Sequence, residues 1–191
     1  MARVFFITHP EVLIDPTAPI TRWSLSESGR QQMALFLRRE PVSGLSDLYS
    51  STETKSIEAA AMLAAHCGLH RVELAALGEN DRSATGYLPR PVFERAADEF
   101  FAKPEQSHRG WERACDAQQR IIAAVDLAVR QARGGQIAIV SHGAVGALYK
   151  CHLKQIAITR AEDQPSQGNF YCFESETRTL LHDWMPLAEE G

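Results

Sequence analysis

The 191-residue chain has no apolar run of about 18 residues, so no segment reads as a membrane-spanning helix. Ahead of Thr8 there is one early Arg3 and a short apolar stretch, Val4 to Ile7, too brief for the hydrophobic region of a secretion signal. A cytoplasmic protein with no membrane partner is the expectation. Runs of basic residues are missing too, and the formal net charge is -4. Nucleic acid and anionic surfaces are excluded as main ligands, because both are bound through concentrated positive charge. Cys67, Cys115, Cys151 and Cys172 contain no C-x-x-C pair and read as reduced thiols. There is no H-E-x-x-H. His66 and His70 stand four apart, but Gly68 between them should end their helix, so neither metal nor cofactor is expected. Internal repeats, low-complexity tracts and linkers are absent as well.

What remains is ordinary globular composition, 45% hydrophobic and 23% charged. A chain of this length fits one domain, residues 1–191, that buries about 70% of its unfolded surface. Strand-like runs alternate with helical periodicity, which predicts a three-layer α/β/α sandwich around a mostly parallel, doubly wound sheet. Strands are predicted at Arg3–Ile7, Asp47–Ser50, Arg71–Leu74 and Gln136–Val140, with a closing hairpin of Asn169–Glu174 and Thr179–Trp184. Helices are predicted from an N-cap at Ser26 through Arg39, from Ser51 or Thr52 to Gly68, over Val92–Ala102 and Arg109–Ala132, and over Ala144–Leu153. Residues 78–91 read as a surface loop.

Two apolar strands end in histidine: Arg3 to Ile7 runs into Thr8-His9-Pro10-Glu11, and Gln136 to Val140 into Ser141-His142-Gly143. Side chains at the carboxyl ends of strands in open α/β sheets line the ligand crevice, so the pair suggests one site. The other reading is two histidines satisfied by backbone hydrogen bonds in the core. Lys55 falls in the first turn of a predicted helix, where a cation opposes the macrodipole and an anion would relieve the conflict. It also reads as a lysine reaching into solvent.

In order and spacing, five landmarks make the chain resemble the histidine phosphatase superfamily, of phosphoglycerate mutase-like fold, over nearly its whole length. Thr8-His9-Pro10-Glu11 stands where the family has Arg-His-Gly-Glu. Leu25-Ser26-Glu27-Ser28-Gly29-Arg30-Gln31-Gln32 resembles its Leu-Thr-x-x-Gly-x-x-Gln helix start. Ser50-Ser51-Thr52-Glu53-Thr54-Lys55 resembles Ser-Ser-x-x-x-Arg, Leu77-Gly78-Glu79 the acidic segment, and Ser141-His142-Gly143 the second histidine motif.

The resemblance implies a phosphatase-type hydrolase acting on a phosphate monoester, or another small phosphorylated ligand, through a phosphohistidine on His9. It makes Glu79 the proton donor to the leaving oxygen and gives His142 the transferring phosphoryl group to hold. Thr8, Lys55, Ser141 and Gly143 would line the substrate. The phosphate clamp departs from the family: Thr8 and Lys55 replace arginines whose planar forks grip phosphate, and Pro10 replaces glycine and removes a backbone N–H. Arg22 and Arg82, in loops that this fold brings near the strand ends, are candidates to supply the lost charge; each also reads as an ordinary solvated arginine. The alternative is a pseudoenzyme that binds an anionic ligand or a protein partner without turnover. Oligomeric state is not legible.

Overall fold

The computed structural model describes residues 2–188, with Glu40 in its backbone only; residues 1 and 189–191 of the expected 1–191 span lie outside. Its strands are β1 (Arg3–Thr8), β2 (Leu45–Ser50), β3 (Arg71–Glu73), β4 (Gln136–Ser141), β5 (Asn169–Glu174) and β6 (Leu180–Pro186). The helices are α1 (Glu27–Phe36), α2 (Thr54–Cys67), α3 (Arg90–Ala102), α4 (Ala114–Gln131) and α5 (Gly143–Leu153). The strands form one sheet in the order β3-β2-β4-β1-β5-β6. β3, β2, β4 and β1 run parallel, and the closing hairpin β5–β6 joins antiparallel to β1.

β1 and β4 are apolar along nearly their whole length because both faces of each are covered, as parallel strands require. Phe5, Ile7, Ala138 and Val140 pack beneath α1 and α2 with Met33, Phe36, Ala59 and Leu63. Val4, Phe6, Ile137 and Ile139 face α3, α4 and α5, against Phe100, Ile121, Val125 and Leu148. The α/β/α sandwich read from the sequence is the architecture observed. No helix among the described residues is long and apolar enough to cross a membrane.

Several boundaries differ from expectation for local reasons. α1 starts where Ser26 caps the amide of Gly29 but stops at Phe36, passing into a turn in which Arg38 donates to Leu35 and Arg39 to Phe36. α4 begins at Ala114 rather than Arg109, because Arg109 and Gly110 adopt left-handed φ of 53° and 80°. The N-cap of α2 is Glu53, neither Ser51 nor Thr52, and no side chain caps it. Loop 78–91 is not wholly on the surface, since Asn80 is buried.

Gly29 brings α1 onto the loop that follows His9, where the Glu11 carbonyl accepts from Ser26 N–H. An alanine methyl at Gly29 would lie 2.1 Å from that carbonyl oxygen. Gly29→Ala should therefore cost about 1–3 kcal/mol by overpacking, although alanine is the better helix former by about 1 kcal/mol. Thermal unfolding checks this, and an unchanged or higher Tm would show that the loop yields.

Candidate active site

In the β1–β4 ladder Thr8 pairs with Ser141, so His9 and His142 leave adjacent strand ends together. The His9 amide donates to the Ser141 carbonyl (3.1 Å), and the two rings meet edge-on with centroids 5.2 Å apart. His9 Nδ1 lies 2.9 Å from the Pro10 carbonyl. A carbonyl only accepts, so Nδ1 carries the hydrogen and Nε2 keeps its lone pair. Burial lowers the His9 pKa to about 4, helped by the Lys55 charge, which leaves the ring neutral at ordinary pH.

His142, fully buried at the N-cap of α5, is also held neutral by burial. Its Nε2 lies 2.8 Å from Ser51 Oγ and 3.4 Å from Glu53 Oε1, and its Nδ1 has no hydrogen-bond partner. Glu53, unremarked in the sequence beyond its place in the motif, is the hub of the site. Its Oε2 accepts from Lys55 Nζ at 2.5 Å and its Oε1 from the Glu79 amide at 2.8 Å. Burial works against the Glu53 carboxylate, and a charged His142 would favour it, but burial keeps that imidazole neutral. The Lys55 ammonium and the Glu79 amide therefore hold Glu53 well below the usual carboxylate range. Lys55 is buried in turn, and its remaining hydrogen bond goes to the Ile20 carbonyl at 2.8 Å.

The Glu79 carboxylate accepts from the amides of Ala144 (3.2 Å) and Val145 (3.1 Å) in the first turn of α5, a favourable place for an anion. Arg120, on α4 and not anticipated, fixes the backbone beneath it by donating to the carbonyls of Ala76, Gly78 and Glu79. Arg82 lies over Phe93 and Trp111, and its charge reaches both histidines. Asp163, also unanticipated, has its pKa raised to about 6 by burial, with the charge of Glu79 adding to the effect. Neither Arg120 nor Asp163 carries a local sequence signal.

Other expected residues are spent on the protein itself. The Thr8 hydroxyl accepts from the Asn169 amide (2.9 Å) and lies 2.6 Å from Gln164 Oε1, to which it donates. Ser141 Oγ donates to the Leu77 carbonyl (2.7 Å), pinning the Glu79 segment to β4. Gly143 faces the Gln164 amide, which a Cβ would meet at 2.4 Å. Arg22 is exposed, at the end of the 3-10 turn Ile20–Arg22 whose first carbonyl holds Lys55.

Two checks follow. Thr8→Val keeps the shape but strips Asn169 N–H and Gln164 of a buried partner, at an expected cost of about 1–3 kcal/mol in denaturant unfolding. The unfolded chain protonates His9 near 6.5 and the folded chain only near 4, so as pH falls the unfolded state takes up the proton first. The His9 share of stability is complete above about 6.5 and falls toward pH 4 by on the order of 3 kcal/mol. His142 adds a slope of the same sign. His9→Gln should flatten the Tm-versus-pH curve between those values, and an unaltered curve would contradict the assignment.

The family model for the histidine phosphatase superfamily (branch 1) matches residues 19–175, so the segment bearing Thr8, His9 and Pro10 lies ahead of the match. No curated protein sequence matches the chain. Among solved structures it is similar to Bacillus stearothermophilus YhfR, with a TM-score of 0.80 and 23% identity over 96% of this chain and 95% of that one. Phosphoserine phosphatase from Entamoeba histolytica superposes with a TM-score of 0.77 at 17% identity, covering 97% and 98%. Mycobacterial glucosyl-3-phosphoglycerate phosphatase gives 0.73 at 17%, covering 96% of each. With two strand-end histidines in register and a model match over most of its length, the chain belongs to the histidine phosphatase superfamily, branch 1.

Proposed function

We propose that the chain is a phosphatase-type hydrolase that removes the phosphoryl group of a small monoester through a phosphohistidine on His9. The observation that carries the reading is the single tautomer of His9: neutral, with Nδ1–H donated to the Pro10 carbonyl and the Nε2 lone pair left for attack. In the first step Nε2 forms the N–P bond while the P–O bond breaks. The leaving oxygen keeps the bonding pair and takes a proton from Glu79, a carboxylate at rest that has first taken that proton up from solvent. Water then attacks phosphorus, the N–P bond breaks back to neutral imidazole, and the water proton returns to Glu79.

His142 would hold the transferring group. In the tautomer whose Nε2 accepts from Ser51 Oγ, the unpartnered Nδ1 would carry the hydrogen and donate to a phosphoryl oxygen. Gly143 opens α5 at the positive end of its helix dipole, and Arg82 adds charge at the rim. The phosphatases of phosphoserine and of glucosyl-3-phosphoglycerate among the similar structures support the reaction class. Free thiols at all four cysteines accord with a reducing, cytoplasmic setting.

One observation favours the second reading, a pseudoenzyme that binds an anionic ligand without turnover. Both clamp positions are engaged internally, Thr8 by Gln164 and Asn169 and Lys55 by Glu53. A preorganised transition-state donor is worth about 2.7–4 kcal/mol, roughly a hundred- to thousand-fold in rate, so slow turnover is expected. Incubation with 32P-labelled aryl phosphate and phosphorylated metabolites should leave acid-labile phosphate on the wild type and none on His9→Ala. Absence of both label and hydrolysis across the panel, with ligand binding intact, would establish the second reading instead.

A further inference from the structure

The outermost charge in a phosphate site decides how much negative charge its ligand can carry, and here that charge is cancelled from within. Lys55 Nζ is 2.5 Å from Glu53 Oε2, and both side chains are buried. Glu53 has no ready route outward, because leaving would strip the Glu79 amide of its acceptor. Its Oε1 also stands 3.4 Å from His142 Nε2, the ring that would touch the phosphoryl group.

We propose that Glu53 tunes this site to a phosphoryl group carrying one negative charge rather than two, an inference that rests on the phosphatase reading above. The groups facing Glu53 from the surrounding elements bear it out. From the ends of β1 and β4, His9 and His142 are neutral. From the start of α2 come Glu53, its N-cap, and Lys55 in its first turn, one charge of each sign. From loop 78–89 come Glu79 and Arg82, again one of each. From α4, Arg120 is spent on both oxygens of Glu112. From the loop after α5, Asp163 adds negative charge as it ionises near pH 6, with Arg160 3.9 Å away.

The charges of Glu53, Lys55, Glu79 and Arg82 therefore sum to zero, and a dianion finds no net positive charge to offset its second one. Its second negative charge gains little from Lys55, whose charge Glu53 cancels, and the like charge of Glu53 disfavours that second ionisation. A monoanion meets less of that repulsion and still takes the neutral donor of His142. A protonated monoester is such a ligand below its second ionisation, near pH 6, where His9 remains neutral down to about 4. Turnover is then expected to be greatest in the acidic interval between those values.

Phenylphosphonate tests the charge preference without turnover, since its C–P bond is not hydrolysed and it passes from monoanion to dianion around neutrality. Titration of the wild type followed by phosphorus NMR should show the bound ligand losing its last proton at least one pH unit above the free ligand. Affinity should be about tenfold or more weaker at pH 8.5 than at pH 5. Glu53→Gln keeps an acceptor for the Glu79 amide and releases Lys55, so it should raise the ratio of the affinity at pH 8.5 to that at pH 5 by about tenfold or more. An unshifted bound ionisation in the wild type overturns the proposal whether or not the variant folds. So does an unchanged affinity ratio in a folded Glu53→Gln, which would assign the preference to Asp163. In both cases binding itself leaves the phosphatase reading standing. Failure of wild type and variant to bind at either pH would overturn both.

Discussion

The site depends on one ladder, the parallel pairing of β1 with β4 that sets Thr8 opposite Ser141. A slip of one residue would turn His9 and His142 to opposite faces of the sheet, because side chains alternate along a strand. The register is protected from both sides, since the same two strands carry Val4, Phe6, Ile137 and Ile139 into one core and Phe5, Ile7, Ala138 and Val140 into the other. The His9 amide, bonded to the Ser141 carbonyl, extends the ladder by one rung, so the proposed nucleophile is held by the sheet itself.

Around that frame the chain fills with its own groups the positions where its relatives, by the sequence resemblance, use arginine to hold phosphate. Removing one partner of a buried ion pair is expensive, because the other charge is left without compensation. Glu53 and Lys55 are bound in this way, and Glu79 joins them through its amide. Thr8 is likewise engaged by the protein itself, through Gln164 and the Asn169 amide.

The sheet and the histidine pair were legible because continuous apolar runs mark strands buried on both faces, and each run ended in a histidine. The Ser26 cap and the Gly68 stop were legible because their chemistry is local. Glu53 was not, since in sequence it reads as an acidic residue favourably placed at a helix start. Its burial against Lys55 and His142 exists only once β2, β4 and α5 are assembled. Arg120 lies beside the apolar stripe of α4, where periodicity records which face is buried and not what the flank reaches. Asp163 and Gln164 belong to a stretch with no period, brought to the site by the return of β5 alongside β1. The premature start assigned to α4 has another cause: Arg109 and Gly110 take left-handed backbone angles that a run of helix-compatible residues does not announce.

The position of β1 also bears on how the molecule is made. It leaves the ribosome well before its two sheet neighbours, β4 and β5, and Thr8 meets the backbone of Asn169 across a separation of 161 residues. Until those late segments emerge, both edges of a strongly apolar strand stay open, and an unpaired edge of that kind templates association with other chains. Loop closure on this scale also slows folding, because the ordering entropy is spent before the contacts repay it. The central strand that positions His9 is thus among the last to be secured during synthesis.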